Sequence, residues 1–241
     1  KCATLREHIA DLVVGMNLLR KLSVLGAALA LTACADLMRI DFESDPLDQP
    51  PLSEPPSPQL DLVNITPAQG DIRVVDVDPI TGSRSLRIAG PASGTVGNPR
   101  VRFQAQPLSA SDRVVLLQWS GQVSAGADVR IEVGVLENGI DINLIPPIRF
   151  ESGEVLVGLT PRTGYEVDEP HLISAMVNLA NGEFSIVIEG GVTETQVIEA
   201  TSTGGGSDGR TLWIDTILVS GDGDASYRVD SVFGQDRGEG S

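Results

Sequence analysis

The sequence predicts an all-β domain, a two-sheet antiparallel jelly-roll sandwich, and three observations lead to this prediction. From about residue 60 onward apolar residues alternate with polar ones, as in strands that bury one face. Residues that form turns separate these runs at intervals of ~8–12 residues. No apolar repeat typical of an amphipathic helix occurs after residue 34. About a dozen short strands without a barrel signal favour a jelly roll.

The strand predictions follow the alternation along the chain. Val101–Ala105, Val129–Val135 and Phe184–Ile188 alternate most regularly, whereas Val114–Leu117 is continuously apolar, which predicts a central strand. Pro146-Pro147 interrupts the run 140–150, and because proline cannot donate to a ladder it predicts an edge or a bend there. Further strands are predicted at 72–77, 85–89, 154–157, 171–179, 192–200, 211–219 and 226–233.

Glycine-containing turns separate the predicted strands. Asn138-Gly139 and Asn181-Gly182 each lie between alternating segments, which is the strongest short signal for a hairpin. Thr81-Gly82, 204–206 and 221–224 are rich in glycine and mark further turns or loops.

A short signal-like segment precedes the predicted domain. Asn17–Lys21 ends in two basic residues, Leu22–Leu31 is apolar, and small residues then lead to Cys34. The apolar run is shorter than the roughly 20 residues that span a bilayer, but it suits a secretory signal core of ~7–15 residues. This segment resembles the lipobox signal peptide of bacterial lipoproteins, with Leu31 and Ala33 at the matching positions. The resemblance implies a diacylglycerol thioether on Cys34, cleavage before it, and acylation of the new amine.

The same resemblance implies a lipid-anchored location in the bacterial cell envelope. Ala35 occupies the place where an aspartate retains such proteins in the inner membrane, so the outer membrane is favoured. Asp36, one place later, is read as a sorting signal in some bacteria. The alternative is that residues 5–31 form an apolar helix packed in the core and that Cys34 is a free buried thiol.

These observations predict the organisation of the chain. Met16 is the first methionine, so residues before it are expected to be an upstream extension. Prolines and acidic residues between Cys34 and the first predicted strands indicate an extended, semi-rigid linker. The expected segments are an extension at 1–15, a signal peptide at 16–33, a lipid-anchored linker at 34–59, the β-sandwich at 60–234 and a disordered tail at 235–241.

Charge restricts the partners. The chain has 17 basic and 33 acidic residues, and cleavage before Cys34 would leave 13 and 31, a net charge of −18. This balance argues against nucleic-acid binding and against a polybasic membrane contact. With Cys34 acylated and Cys2 removed, the domain would have no disulfide and would depend on its core alone.

Three segments resemble parts of one family of sandwiches. His171–Gly190 resembles a hairpin of concanavalin A-like and laminin-G-like domains, and Leu212–Val219 and Tyr227–Val232 resemble their closing strand, where an aspartate precedes an apolar end. Galactose-binding-like jelly rolls share the closing aspartate. The resemblance implies a jelly roll and, by analogy, carbohydrate binding or carbohydrate degradation.

Candidate catalytic groups are few. His171 is expected to lie at the rim of the core and less to act as a catalytic base, because it shares strand parity with apolar residues. No Gly-x-Ser-x-Gly motif and no phosphate-binding loop is present. Acidic residues are so abundant that a chance pairing of two carboxylates is expected, so a glycosidase pair is not indicated. Whether the domain is an enzyme stays open, with a non-enzymatic domain favoured.

Candidate ligand-binding residues lie mainly on strands. Aromatic side chains stack on sugars, and polar side chains on a neighbouring strand could line a groove. Calcium is the one metal considered, because carboxylates in a loop suit a hard cation, although a solvated turn is the favoured interpretation. The predicted ligand-binding residues are Trp119, Tyr165, Trp213, Asp215, Arg102 and Gln104, Tyr227 is a further aromatic candidate, Arg100 is a further polar one, and the calcium candidates are Asp222 and Asp224.

The resulting hypothesis is a lipid-anchored envelope protein whose β-sandwich has a non-catalytic binding or structural role. The alternative is a carbohydrate-binding or carbohydrate-degrading jelly-roll protein. Its expected partners are the membrane, through the anchor, and a glycan or another envelope protein.

Overall fold

The computed structural model describes residues 36–51, 62–66, 70–76, 79–80, 82–91, 97–108, 114–201, 210–221 and 224–237. The predicted signal peptide, Cys34 and Asp222 lie outside the described residues. No helix in the described part is long and apolar enough to cross a membrane.

The described residues form sixteen strands in two eight-stranded antiparallel sheets. The strands are β1 Asp36–Ile40, β2 Leu62–Thr66, β3 Asp71–Val75, β4 Ser85–Ala89, β5 Arg100–Pro107, β6 Val114–Val123, β7 Asp128–Glu137, β8 Ile140–Asn143, β9 Ile148–Glu151, β10 Glu154–Val157, β11 Thr160–Gly164, β12 Pro170–Asn178, β13 Glu183–Glu189, β14 Gln196–Thr201, β15 Thr211–Ser220 and β16 Ser226–Asp236. Sheet I has the order β14-β13-β12-β6-β16-β4-β3, with β1 also paired to β16, and sheet II has the order β11-β10-β9-β7-β15-β5-β2, with β8 also paired to β7. The predicted all-β antiparallel sandwich is confirmed.

The core lies between the two sheets and is built from alternate residues of each strand. In β7 the side chains of Val129, Ile131 and Val133 are buried, while the residues between them face outward and are half-buried. The same alternation in β6 places Leu117 and Trp119 in the core. The continuously apolar start of β6 correctly indicates a central strand, since β6 lies between β12 and β16, but only every second residue is fully buried.

The connections follow the turn residues. Asn138 and Gly139 join β7 to β8 with φ angles of 51° and 79°, which is the positive-φ pair that a two-residue hairpin turn requires. Pro146 and Pro147 separate β8 from β9, and both strands then pair with β7 at different heights. The predicted interruption at the two prolines is therefore present as a division into two strands.

The segment expected to be a linker differs from the expectation at its start. Asp36–Ile40 forms β1, which pairs with β16, and Met38, Ile40 and Phe42 are buried in the core. The Phe42 ring lies against Phe103, with 6.3 Å between ring centroids. The prolines, and all acidic residues of the segment except Asp36, come after this strand, so a composition average over 34–59 hides five alternating residues that belong to the sandwich. Likewise β16 extends to Asp236, inside the expected tail.

Candidate functional site on the outer face of sheet II

The outer face of sheet II brings together charged side chains from three neighbouring strands. Leu212 and Ile214 of β15 are in the core, so Trp213 and Asp215 face outward. Asp215 lies opposite Arg102 of β5 on one side and opposite Glu132 of β7 on the other. This register places one arginine and two carboxylates in a row across the middle of the sheet.

Asp215 is the centre of this face and is completely shielded from solvent. Arg102 donates from Nε to Oδ1 at 2.9 Å and from Nη2 to Oδ2 at 2.7 Å, and Arg100 donates to the same Oδ2. A buried carboxylate is tolerated only when charged donors replace water, and this one has three. The carboxylate of Asp215 is thus saturated within the protein and is not a free acceptor for a ligand, contrary to the expectation.

Arg102 connects this centre to a second carboxylate. Its Nη1 and Nη2 donate to Oδ1 and Oδ2 of Asp141 at 2.9 and 2.7 Å. Hydrogen bonds to Asp215 and Asp141 raise the pKa of Arg102 above its usual value, against an opposing effect of burial. The Arg102 guanidinium in turn lowers the pKa of Asp141. The Arg102 side chain is therefore held on both edges, which fixes its orientation.

Trp213 lies directly beneath Arg102. The guanidinium carbon of Arg102 is 4.3 Å from the centroid of the Trp213 ring, a cation–π arrangement. On β7 the residue opposite Trp213 is Gly134, and the indole occupies the space that a Cβ would fill there. Trp213 is only 1% exposed although it faces outward, because Arg102 and the backbone near Ile142 cover it.

The structure does not assemble the predicted aromatic platform. Trp119 is 1% exposed in the core between the sheets, and Trp213 is covered as described, so neither can stack on a ligand. Tyr165 is half-buried, with its ring edge-on to Phe150 at 5.4 Å between centroids. Gln104 is half-buried and lies opposite Trp213. Of the predicted residues, Arg102, Gln104, Trp213 and Asp215 share one face, while Trp119 and Tyr165 lie elsewhere.

A second row of arginines crosses the same face, and of its members the sequence analysis predicts only Arg100 as a candidate. Arg100 lies opposite Ile217, Ile217 opposite Arg130, and Arg130 opposite Arg149 of β9. Arg130 and Arg149 border a cavity of about 190 Å³. The signal in the sequence is that each arginine stands between two buried strand residues, but which strands are neighbours cannot be read from alternation alone.

His171 is buried, 3% exposed, and does not reach the outer face of either sheet. Its ring stacks on Phe150 at 4.3 Å between centroids, and its Nε2 lies 3.0 Å from the Tyr227 hydroxyl. Burial lowers the pKa of His171 to about 3 and raises that of Tyr227. A neutral, enclosed imidazole suits the expected structural role at the core and does not suit a catalytic base open to substrate.

The calcium candidates gain no support. Asp224 is exposed in a turn before β16, and Asp222 is not described. Among the described residues no group of three histidine, cysteine, aspartate or glutamate side chains could hold a metal ion.

Comparison with known proteins supports the fold and leaves the family undetermined. No family model and no curated protein sequence matches the chain. Among solved structures, the chain is similar to a sialidase at 12% identity and a TM-score of 0.51, covering 85% of this chain and 18% of that one. It is similar to the binding domain of botulinum neurotoxin serotype D at 8% identity and a TM-score of 0.50, covering 86% and 49%. Peanut lectin is similar at 10% identity and a TM-score of 0.47, covering 84% and 97%.

These likenesses concern architecture alone. With the sheet order, the first two show a jelly-roll sandwich, in agreement with the concanavalin A-like resemblance at the level of fold. The chain spans less than a fifth of the sialidase and about half of the toxin domain.

Proposed function

We propose that this protein is a non-catalytic binding module, anchored by lipid in a bacterial envelope, and that its ligand binds on the outer face of sheet II. The observation that carries the proposal is the fixed charged network of Arg100, Arg102, Asp141 and Asp215 on that face. The exposed ion pair between Arg102 and Asp141 adds little to stability. The network does hold polar side chains in one orientation, which lowers the entropy cost of binding a ligand.

The network suits recognition better than proton transfer. Asp215 and Glu132 lie opposite each other on adjacent strands, but Asp215 is saturated by two arginines and Glu132 is paired with Arg130. A general acid or base must present its proton or lone pair to a substrate. Side chains at the solvent edge of the network remain available, since Arg100 and Asp141 are 37% and 43% exposed.

A saccharide is the favoured ligand class within this proposal. Arg100, Asp141, Asn143 and Gln104 place exposed or half-buried donors and acceptors on one face, which suits hydroxyl groups. Recognition there would use hydrogen bonds, since the tryptophan of this face is covered. The resemblance to concanavalin A-like domains is in keeping with such a ligand.

An array of neutral and acidic oligosaccharides, screened with the purified full chain, tests the proposed ligand and face. We expect binding that is weakened at least ~10-fold by Arg100→Gln combined with Asp141→Asn, because both remove groups at the solvent edge. Arg162→Gln on β11 is the matched control, since Arg162 is an exposed arginine of the same sheet. If no saccharide binds at millimolar concentration, the proposal that the ligand is a saccharide is overturned. Equal binding by the double variant would place the site elsewhere.

The lipid anchor is supported by the lipobox-like sequence, and the fold alters what such an anchor would do. Because β1 begins at Asp36, only Ala35 separates Cys34 from the sandwich. An acylated Cys34 would therefore hold sheet I close to the bilayer, and the acidic, proline-rich residues after β1 would not act as a spacer.

Membrane fractionation of cells that express the full chain tests the anchor. Cys34→Ser should move the protein to the soluble fraction and abolish labelling by a radioactive fatty acid, because several acyl chains are needed for stable anchoring. Cys2→Ser is the matched control and should change neither. Membrane association of the Cys34→Ser protein would refute the anchor.

A further inference from the structure

We infer that Arg130 and Arg149 form an oxyanion-binding site on the outer face of sheet II and that the ligand carries a carboxylate or sulfate group, as an acidic saccharide does. The saccharide part of this inference rests on the proposed function. The negative charge of the ligand is inferred from a separate observation. The two arginines lie opposite each other, and the buried Nε atom of each has no hydrogen-bond partner among the described residues.

Two like charges face each other across neighbouring strands. Arg130 of β7 is the register partner of Arg149 of β9, so the side chains leave the same face with Cβ atoms ~4.5–5.5 Å apart. Like charges in this position destabilise a sheet. The chain has 33 acidic residues and only 17 basic ones, yet it places two of the basic residues together. An anion between them would turn the repulsion into attraction.

In each of the two guanidinium groups at least one N–H donor lacks an acceptor among the described residues. Arg130 forms an ion pair with Glu132 through Nη2. For Arg149, no carboxylate within the described part of the chain comes within ion-pair distance. The Nε atoms of both arginines are buried and have no hydrogen-bond partner there. Buried charged donors without acceptors are costly, and the planar guanidinium fork matches the two oxygens of a carboxylate or sulfate.

A cavity lies beside these two side chains, and both arginines belong to its lining. Its volume is about 190 Å³, and Val129, Val219, Asp128 and Glu151 complete its lining. A water molecule occupies about 30 Å³ in the liquid, so the space accommodates an oxyanion with a few waters. The carboxylate of Asp128 accepts from the Ser152 amide at 3.2 Å and from the Ser220 hydroxyl at 2.5 Å. Asp128 thus has donors of its own and Glu151 is exposed to solvent, so we assign the anion to the arginine side of the cavity.

The site lies next to the charged network of the proposed binding face. Arg130 and Arg100 are both opposite Ile217 on β15, one on each side. Strands are ~4.8 Å apart, so Arg100 and Arg149 are about three strand spacings from one another. A saccharide of two or three rings could therefore contact the exposed edge at Arg100 and place an acidic group between Arg130 and Arg149.

Titration of the purified full chain with sodium glucuronate, inorganic sulfate and glucose, at constant ionic strength, tests the inference. Nε–H signals of arginine in nitrogen-correlated NMR report binding directly. We expect glucuronate and sulfate to shift two such signals and to bind at least ~10-fold more tightly than glucose. Arg149→Gln should raise both dissociation constants at least ~10-fold. Arg162→Gln, the same change on β11, should leave them unchanged.

The alternatives give different results. Sulfate binding without glucuronate binding would support the oxyanion site and overturn its saccharide ligand. Equal affinity in the Arg149→Gln and unaltered proteins, or no binding of either anion, would overturn the site. Binding of a neutral oligosaccharide that does not depend on Arg149 would overturn the inference and keep the proposed function. Because Arg149 has no ion pair with a described residue to lose, Arg149→Gln should fold normally, and its thermal unfolding verifies this.

Discussion

The His171 side chain should make the stability of this fold depend on pH from about pH 6.5 downward, which begins above the range where carboxylates titrate. Burial lowers its pKa from 6.5 to about 3 in the folded protein. Below pH 6.5 the unfolded chain therefore binds more protons, so stability that is complete above pH 6.5 is lost as pH falls toward 3. The slope should reach ~1.4 kcal/mol per pH unit. Urea unfolding at pH 7.5, 6 and 5 measures it, and His171→Phe should flatten this part of the curve. Parallel curves for the two proteins would contradict this assignment.

Arg102 should contribute more to stability than its half-buried position indicates. Arg102→Leu leaves the buried Asp215 carboxylate with Arg100 alone and uncovers Trp213. We expect a loss of about 3 kcal/mol in the free energy of unfolding, as when one partner of a buried ion pair is removed. Asp141→Asn is the control, because its carboxylate is 43% exposed and such pairs contribute under about 1 kcal/mol. If denaturant titrations give the same loss in the free energy of unfolding for Arg102→Leu and Asp141→Asn, the buried Asp215 carboxylate is not stabilised by Arg102.

At the scale of strands, the contact between β7 and β15 depends on a residue without a side chain. A Cβ at Gly134 would collide with the Trp213 indole and with the backbone oxygen of Ile142. Gly134→Ala should therefore destabilise the protein by ~1–3 kcal/mol, as overpacking does, and change the near-ultraviolet dichroism of tryptophan. Gly164→Ala on β11 is the matched control, since the nearest atom there is the rotatable hydroxyl of Thr193 at 2.8 Å. If Gly134→Ala has the same stability and the same dichroism spectrum as the unaltered protein, the Trp213 indole can move away from residue 134 without cost.

Most strands and the Asn138-Gly139 hairpin were predictable because alternation and Asn-Gly turns are local properties, whereas β1, β2 and β11 were not predicted. The interruption at Pro146-Pro147 and the outward parity of Arg102, Trp213 and Asp215 followed in the same way. The exposure of these residues was not predictable. It depends on Gly134 lying opposite Trp213 and on Arg102 reaching across two strands, both of which are set by register between distant segments. The pairing of Arg130 with Arg149 was hidden for the same reason.

At the scale of the whole molecule, the sandwich begins earlier than its composition indicates. Met38 of β1 is 1% exposed and contacts the core beside Gly234 and Leu117, and Phe42 is 2% exposed against Phe103.

Because these side chains belong to the core, a chain that starts at Ala35 should unfold at the same urea concentration as the full chain. A chain that starts at Ser53 lacks β1 and leaves the edge of β16 without its partner. We expect this chain to lose several kcal/mol in the free energy of unfolding, since each buried apolar side chain contributes ~1.5–3 kcal/mol, and to bind a hydrophobic dye.

Met38→Ala in the full chain separates packing from strand pairing and should lower the free energy of unfolding by ~2–5 kcal/mol. Arg39→Ala, on the exposed face of the same strand, should lower it by under about 0.5 kcal/mol. Identical midpoints for the chains that start at Ala35 and Ser53 would show that β1 adds nothing to the sandwich, and would restore residues 34–59 as a linker.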